Sequence, residues 1–150
     1  MNTVRHNWAA IAVATIVYFM LSGIWFTVLK EPWLKGVGRT VDEIAAVGVS
    51  PLITFGSAFL TTLLIAIFLS WVIQATGSQT VGGGLKVAAW TWFGVVFATW
   101  STEYAFEARS LQILAINTGC CLIGMLLMGA ILGAWRKQET VPTDQIAFIG

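Results

Sequence analysis

Residues 111–135 read LQILAINTGCCLIGMLLMGAILGAW, and this stretch contains no charged side chain. An α-helix rises ~1.5 Å per residue, so about 20 apolar residues are enough to cross the ~30 Å hydrocarbon core of a bilayer. The stretch is long enough to do so without placing any charge inside the core. It therefore predicts a transmembrane helix.

Three other segments extend the same pattern towards the N-terminus. Residues 8–29 and 51–73 are also free of charge. Residues 82–106 are less uniform, because Lys86 and Glu103 lie near the two ends, where the lysine can extend its ammonium group into the headgroups. We therefore predict an all-α integral membrane protein, a single domain over residues 1–150 with four transmembrane helices in one bundle, a loop at 30–50 and a polar tail at 136–150.

The composition agrees with a membrane protein and excludes several other classes. Hydrophobic residues make up 57% of the 150 residues and charged residues only 10%, whereas an average soluble domain is ~45–50% apolar and ~25% charged. The formal net charge of +1 gives no basic surface for a phosphate backbone, so no nucleic-acid partner is expected. The first apolar segment exceeds the ~7–15 residues of a signal-peptide core, and its end, Trp25 to Lys30, has no Ala-x-Ala pattern, so we expect it to remain as a span.

The loop at 30–50 and the distribution of charge indicate the topology. Thr40 and Glu43 have the spacing of a capping box, which predicts a short interfacial helix at about 41–47. With four spans, the basic residues divide equally between the two sides of the membrane, Arg5, Lys86, Arg136 and Lys137 on one and Lys30, Lys35, Arg39 and Arg109 on the other. The acidic residues of the loops fall on the second side, and on this basis we predict that both termini are cytoplasmic.

Small residues indicate where helices pack, since close approach replaces the hydrophobic driving force inside lipid. The fourth span carries Gly119, Gly129 and Gly133 on one side, the last two as a GxxxG pair. This pair is typical of a dimerisation face, but packing within the chain is the favoured interpretation. In the third span, a face of small residues that includes Ala88 and Ala98 is the expected helix contact. The opposite face carries a bulky stripe of aromatic side chains, for which three roles are open: contact with lipid, filling of a gap between helices, or binding of a partner. The stripe consists of Trp90, Phe93, Phe97, Trp100 and Tyr104.

The chain contains eight tryptophans. Trp90, Trp92 and Trp100 lie inside the third span, where helix-packing bulk is favoured over a platform for a pigment or quinone. The others lie at or near span ends, where an amphipathic indole suits the headgroup layer, and are expected to be anchors: Trp8, Trp25, Trp33, Trp71 and Trp135.

Polar residues that are candidates for chemistry are few. The best polar cluster lies at the end of the third span and consists of Glu103, Tyr104, Glu107 and Arg109. Glu103 and Glu107 share one helix face, and Arg109 can neutralise one of them. Drawn below the headgroups, Glu103 could carry a proton or bind a cation; in water it is a plain helix-end charge, which is the favoured interpretation. Asn117 lies well inside the fourth span and is expected to hydrogen-bond a neighbouring helix. Its natural partners are the hydroxyl residues of the second span, Thr54, Ser57 and Thr61.

Catalytic, metal-binding and cofactor-binding residues are not predicted. The single histidine, His6, precedes the first span and is expected to be a solvated end residue. Cys120 and Cys121 are helix neighbours whose side chains point about 100° apart, which disfavours a disulfide and favours apolar filling over a soft-metal or redox pair. The sequence contains no Walker loop, dinucleotide fingerprint, metalloprotease helix or nucleophile elbow. We expect no enzyme activity and no cofactor.

Several short patterns carry a resemblance to a known family. They are Asn7-Trp8, Gly23-x-Trp25-Phe26, Lys30-x-Pro32-Trp33, Phe106-Glu107-x-Arg109, Ile116-Asn117-x-Gly119 and the closing run Met128 to Trp135. On these residues the chain resembles the small four-span bacterial membrane proteins of domain-of-unknown-function family 1761 along nearly its whole length. Phe26 stands where that family more often has tyrosine, and Ser110 where it more often has proline. The resemblance implies the architecture and a bacterial inner-membrane location, and it implies no activity.

The expected function follows from packing rather than from chemistry. We expect a non-enzymatic inner-membrane protein whose partners are the lipid bilayer and either further copies of the chain, as a homo-oligomer, or a larger membrane complex that it serves as an accessory subunit. The alternative is a small transporter or channel for a small solute or ion, with Glu103 near the membrane boundary. A membrane enzyme is a distant third, because the chain has no nucleophile–base pair.

Overall fold

Four long apolar helices dominate residues 6–135, the part of the chain that the computed structural model describes. The elements in chain order are α1 (Trp8–Val28), α2 (Lys30–Val37), α3 (Val41–Ala46), α4 (Pro51–Ala75), α5 (Val81–Thr91), a π-helix (Trp92–Phe97), α6 (Ala98–Phe106) and α7 (Leu111–Ala134). The elements from α5 to α6 are continuous and form the third span, Val81–Phe106. The prediction of an all-α membrane protein with four spans in one bundle is confirmed. The predicted tail at 136–150 and Arg5 lie outside the described residues.

The last helix, α7, forms the centre of the bundle. Half of its most apolar stretch is buried, against 28% for α1, 17% for α4 and 11% for the third span. Each of the other three spans packs on α7. The core between them contains fully buried side chains from α1, α4 and α7, among them Ile11, Leu69 and Met128. The third span and α1 thus pack most extensively on α7, whereas α4 packs on α1 and α5 as well as on α7.

Three glycines bring α5 and α7 into backbone contact. A Cβ atom placed on Gly84 would overlap the carbonyl oxygen of Gly129, and one placed on Gly133 would overlap the carbonyl oxygen of Thr80. A Cβ atom on Gly129 would lie 2.8 Å from the Cβ of Ala88. Because small residues let helix backbones approach within lipid, the GxxxG pair of α7 is filled by the third span of the same chain.

The π-helix changes the face that the third span presents to the bundle. Ala88, before the π-helix, is fully buried, whereas Val95 and Ala98 are exposed. Tyr104, which belongs to the bulky stripe, is only 7% exposed. A π-turn holds more residues than an α-turn, and one extra residue rotates the following side chains by about 100°. The prediction that the small face, including Ala98, contacts other helices is therefore wrong beyond Trp92.

The segment between α1 and α4 contains two short helices where only one is expected. The predicted capping box is confirmed at the start of α3: Thr40 Oγ1 accepts from the Glu43 amide at 3.2 Å, and Glu43 Oε2 accepts from the Thr40 amide at 2.8 Å. These hydrogen bonds lower the pKa of the exposed Glu43 carboxyl. The unexpected helix is α2, which has Pro32 in its first turn, where proline is tolerated, and ends at Gly38 with φ 71°.

The two halves of α4 have different surroundings. Leu69 and Ile73, in the second half, are fully buried. His6, expected to be solvated, is half-buried next to this half and lies 3.2 Å from the hydroxyl of Ser70. Every residue from Pro51 to Thr61, in the first half, is exposed. A cleft of about 960 Å³ separates this first half from α1.

Candidate functional site

Three tryptophans from three different elements donate hydrogen bonds to consecutive residues of α7. We call this set the indole collar. Its pairs are Trp25 of α1 to the Ile116 carbonyl at 3.0 Å, Trp33 of α2 to Asn117 Oδ1 at 3.2 Å, and Trp92 of the π-helix to the Thr118 carbonyl at 2.8 Å. The collar fixes α1, α2 and the third span at one level of the central helix.

The collar needs no break in the backbone hydrogen bonding of α7. A carbonyl oxygen has two lone pairs, so Ile116 and Thr118 can each accept an indole N–H in addition to a helical amide. The Trp25 ring lies beside Gly119, and a Cβ atom on this glycine would be 3.5 Å from the ring, an ordinary van der Waals contact. Trp25 and Trp33 therefore donate their indole N–H groups to α7, a contact that the prediction of headgroup anchors did not include. Trp8, Trp71 and Trp135 are exposed near span ends.

Both ends of the Asn117 side chain are hydrogen-bonded. Its Oδ1 accepts from Trp33, and its Nδ2 donates to the Tyr104 hydroxyl at 2.7 Å. The prediction that Asn117 binds neighbouring helices is confirmed, but the predicted partners are wrong. Thr54, Ser57 and Thr61 lie on the exposed half of α4, and the first two donate to carbonyl groups of their own helix.

The acidic cluster at the end of the third span is only partly assembled. Glu107 and Arg109 form an ion pair with both side chains well exposed. The Arg109 guanidinium also lies over the Tyr104 ring, 5.2 Å from its centroid, at a distance typical of a cation–π contact. Tyr104 thus links Arg109 to Asn117, whereas Glu103 is exposed and outside this group.

A cavity of about 610 Å³ lies beside the collar, between α1, α2, α3, the third span and α7. Its walls are almost entirely apolar, with Tyr18, Phe26, Trp33 and Trp100 supplying aromatic surface. Lys30 lines it where α1 passes into α2. No carboxylate lines this cavity in the described part of the chain. The chemistry of these walls suits the binding of an uncharged, apolar group.

The two cysteines line the same cavity from α7. Cys120 is buried and Cys121 half-buried, and both thiols are free. The Cys120 sulfur lies 3.7 Å from the Ser22 hydroxyl oxygen of α1. Among residues 6–135, no group of three or more His, Cys, Asp and Glu side chains could hold a metal ion.

Sequence reasoning missed most of the site because it is built from aromatic residues that also have ordinary packing roles. Tyr18, Tyr104 and the collar tryptophans carry no spacing that distinguishes a hydrogen-bonding indole or phenol from bulk. The available signal is that Trp25 and Trp33 fall in the short patterns Gly23-x-Trp25-Phe26 and Lys30-x-Pro32-Trp33. Trp92 begins the π-helix, which no residue pattern in the third span indicates.

We expect Trp33→Phe to destabilise the bundle by about 1 kcal/mol, since hydrogen bonds between membrane helices are worth roughly 0.6–2 kcal/mol. Asn117→Leu should cost more, because it also removes the bond to Tyr104. Their effects should not add, because each variant removes the same bond between Trp33 and Asn117. Unfolding in mixed micelles, followed by circular dichroism, measures the coupling. Trp71→Phe, at an exposed tryptophan outside the collar, is the control and should have no effect. Additive losses would show that the two residues act separately.

Comparison with known proteins identifies the family of the chain. A family model described as "Protein of unknown function (DUF1761)" matches residues 9–133, a range that contains the collar, both cavities and nearly all of the four spans. No curated protein and no solved structure matches the chain. The family model covers most of the sequence, and the chain belongs to the DUF1761 family.

Proposed function

We propose that this protein is a non-enzymatic component of the bacterial inner membrane, with both termini cytoplasmic, and that it works through helix packing as a homo-oligomer. The observation that carries the proposal is the cleft between α1 and the exposed first half of α4. The cleft is a place where a bundle of this size leaves helix surface uncovered by its own chain.

The walls of the cleft suit close approach by another helix. Gly23 and Thr27 line it from α1, and Thr54 and Ala58 line it from α4. A Cβ atom on Gly23 would meet no other atom within 4 Å. Small residues at such positions allow helix backbones to approach and gain van der Waals contact within lipid.

The occupant that we propose is the first half of α4 from a second copy. In a two-fold arrangement each copy supplies one cleft and one inserting segment, which gives a closed, self-complementary interface. The segment Pro51–Thr61 is apolar, uncharged and exposed, and it includes Gly56, beside which there is open space. The GxxxG pair of α7 is not needed for this contact, since α5 already covers it.

Two observations favour helix packing over catalysis and over transport. Both polar ends of Asn117 are taken up by Trp33 and Tyr104, so the one amide at the cavity is committed to structure. The alternative function, a small transporter or channel, places Glu103 on the path of the solute. Glu103 is exposed and lines neither the cavity beside the collar nor the α1–α4 cleft. This position favours a function in helix packing over one in transport.

Gly23→Leu tests the proposal by filling the cleft. We expect the wild-type protein to run as a dimer in nanodiscs and the variant to dimerise at least about tenfold more weakly, a loss of ~1.4 kcal/mol. The control is Gly94→Leu in the third span, where a Cβ atom also meets open space and the dimer should persist. Light scattering or mass photometry measures the mass of the protein in each sample.

Cysteine cross-linking gives a second measurement of the same interface. In a Cys120→Ala, Cys121→Ala background, Ala58→Cys should cross-link between copies, whereas Val95→Cys, exposed on the third span, should not. A wild-type protein that is strictly monomeric, with no co-purifying protein, contradicts the proposal. A different protein that co-purifies and is lost in Gly23→Leu would replace the homo-oligomer with a larger complex.

A further inference from the structure

We propose that the cavity of about 610 Å³ beside the indole collar binds one acyl chain of an anionic phospholipid, whose headgroup is held by Lys30. This inference does not depend on the oligomer, because the cavity and the α1–α4 cleft are separate spaces. It assigns the cavity a ligand from the surrounding membrane.

The inside of the cavity excludes a charged or strongly polar ligand. Two of its polar side chains already have partners: Asn117 is bonded at both ends, and the Ser22 hydroxyl donates to the Tyr18 carbonyl at 3.0 Å. The remaining surface is aromatic and aliphatic. The part of the ligand that enters must therefore be hydrocarbon, since a buried polar group without a hydrogen-bond partner is costly.

The size and shape of the cavity fit one chain. Ligand cavities commonly have volumes of roughly 300–1,000 Å³. The wall contributed by α1 runs from Tyr18 through Ser22 to Phe26, a distance along the helix of about 12 Å at ~1.5 Å per residue. Lys30 extends the same row beyond the end of α1. This elongated wall, apolar at depth and cationic at its edge, has the layout of a lipid chain and its headgroup.

Lys30 is available to bind an anion. Within residues 6–135 its ammonium group takes part in no ion pair or hydrogen bond, and no carboxylate lines either cavity. It follows α1 directly, at the level where an uncharged span ends and headgroups begin. A single cation at the edge of an apolar cavity favours an anionic headgroup over one without net charge.

The row Ser22, Phe26 and Lys30 also explains why one chain is proposed rather than two. These three residues line both the cavity and the α1–α4 cleft, so they form the ridge between the two spaces. A lipid with its headgroup at Lys30 reaches the cavity with one chain while its other chain stays in the bilayer.

The test uses the full-length protein in nanodiscs that contain phosphatidylglycerol or phosphatidylcholine with the same diazirine-bearing acyl chain. After photolysis, mass spectrometry locates the cross-links. We expect the phosphatidylglycerol probe to label the α1 and α7 residues of the cavity about fivefold more than the phosphatidylcholine probe, the preference expected for one lysine near an anionic lipid. Lys30→Gln should abolish this preference, whereas Lys35→Gln, which lines neither cavity, should retain it.

A variant that blocks the cavity separates bound lipid from surrounding lipid. Cys121→Phe places a ring in the cavity and should remove cavity labelling by both probes while labelling of the exposed segment Pro51–Thr61 continues. Circular dichroism confirms that each variant is folded. Equal labelling by the two probes, or a preference that survives Lys30→Gln, overturns the assignment of Lys30. Labelling confined to exposed surfaces shows annular lipid only and overturns the site.

Discussion

Gly84→Ala is expected to destabilise the bundle by about 3 kcal/mol, the upper range for overpacking a close contact. The added Cβ atom would overlap the carbonyl oxygen of Gly129. That oxygen belongs to the backbone of the central helix, so the clash is relieved only by moving α5 away from α7. Unfolding in mixed micelles of a mild detergent and dodecyl sulfate, followed by circular dichroism, measures the loss.

Gly82→Ala is the matched control for this prediction. It lies in the same run of three glycines, and a Cβ atom there would meet no other atom within 4 Å. Alanine favours helix over glycine by up to about 1 kcal/mol, so this variant should be neutral or slightly stabilising. If both variants lost stability equally, the cause would be the altered start of α5 and not its contact with α7.

Gly124→Ala is expected to destabilise the bundle by about 2 kcal/mol through a different contact. The added Cβ atom would overlap the ring of Tyr18, which is buried between α1 and α7. A ring can move where a backbone cannot, so the cost should be smaller than at Gly84. Tyr18→Leu removes the ring, and the double variant should recover most of the loss that Gly124→Ala causes on its own.

Gly119→Ala is the control on the same helix. Its Cβ atom would lie 3.5 Å from the Trp25 ring, an ordinary van der Waals contact, and the variant should unfold like the wild-type protein. A double-mutant cycle for Gly124→Ala and Tyr18→Leu gives the coupling between the two positions. A coupling near zero would mean that the ring is not what makes alanine unfavourable at position 124.

The four spans could be predicted because a long uncharged segment has few alternatives. A charge inside the hydrocarbon core is costly, and the four segments predicted from this rule and from their apolar length end within two residues of the helices in the structure. The capping box at Thr40 was equally predictable, since it depends on two residues three apart. Both features are local in sequence.

The contacts between spans could not be predicted in the same way. The faces of the third span were assigned from a constant 3.6-residue period, and the π-helix breaks that period at Trp92. Trp33 reaches Asn117 only because α2 folds back on α7. Asn117 was expected to bond to α4, but the first half of α4 is exposed. Each of these contacts depends on how distant helices are placed, which residue spacing alone does not specify.

The candidate site shows the same division. Glu103, Glu107, Arg109 and Asn117 were predicted as polar candidates, and the structure links the last three through Tyr104. Charged and polar residues inside a membrane protein need partners, and such residues can be identified from the sequence. The cavity is formed by aromatic and aliphatic residues that also occur in any packed core, and its presence depends on what the neighbouring helices leave unfilled.

The central position of α7 also has a consequence for biogenesis. A ribosome releases the chain from its N-terminus, so α7 is the last of the four spans to reach the membrane. Until α7 is inserted, Gly84 has no partner glycines and the indoles of Trp25, Trp33 and Trp92 have no acceptors on it. The glycine contact and the indole hydrogen bonds can therefore form only after α7 has been inserted, whereas the packing of α1 on α4 does not need it.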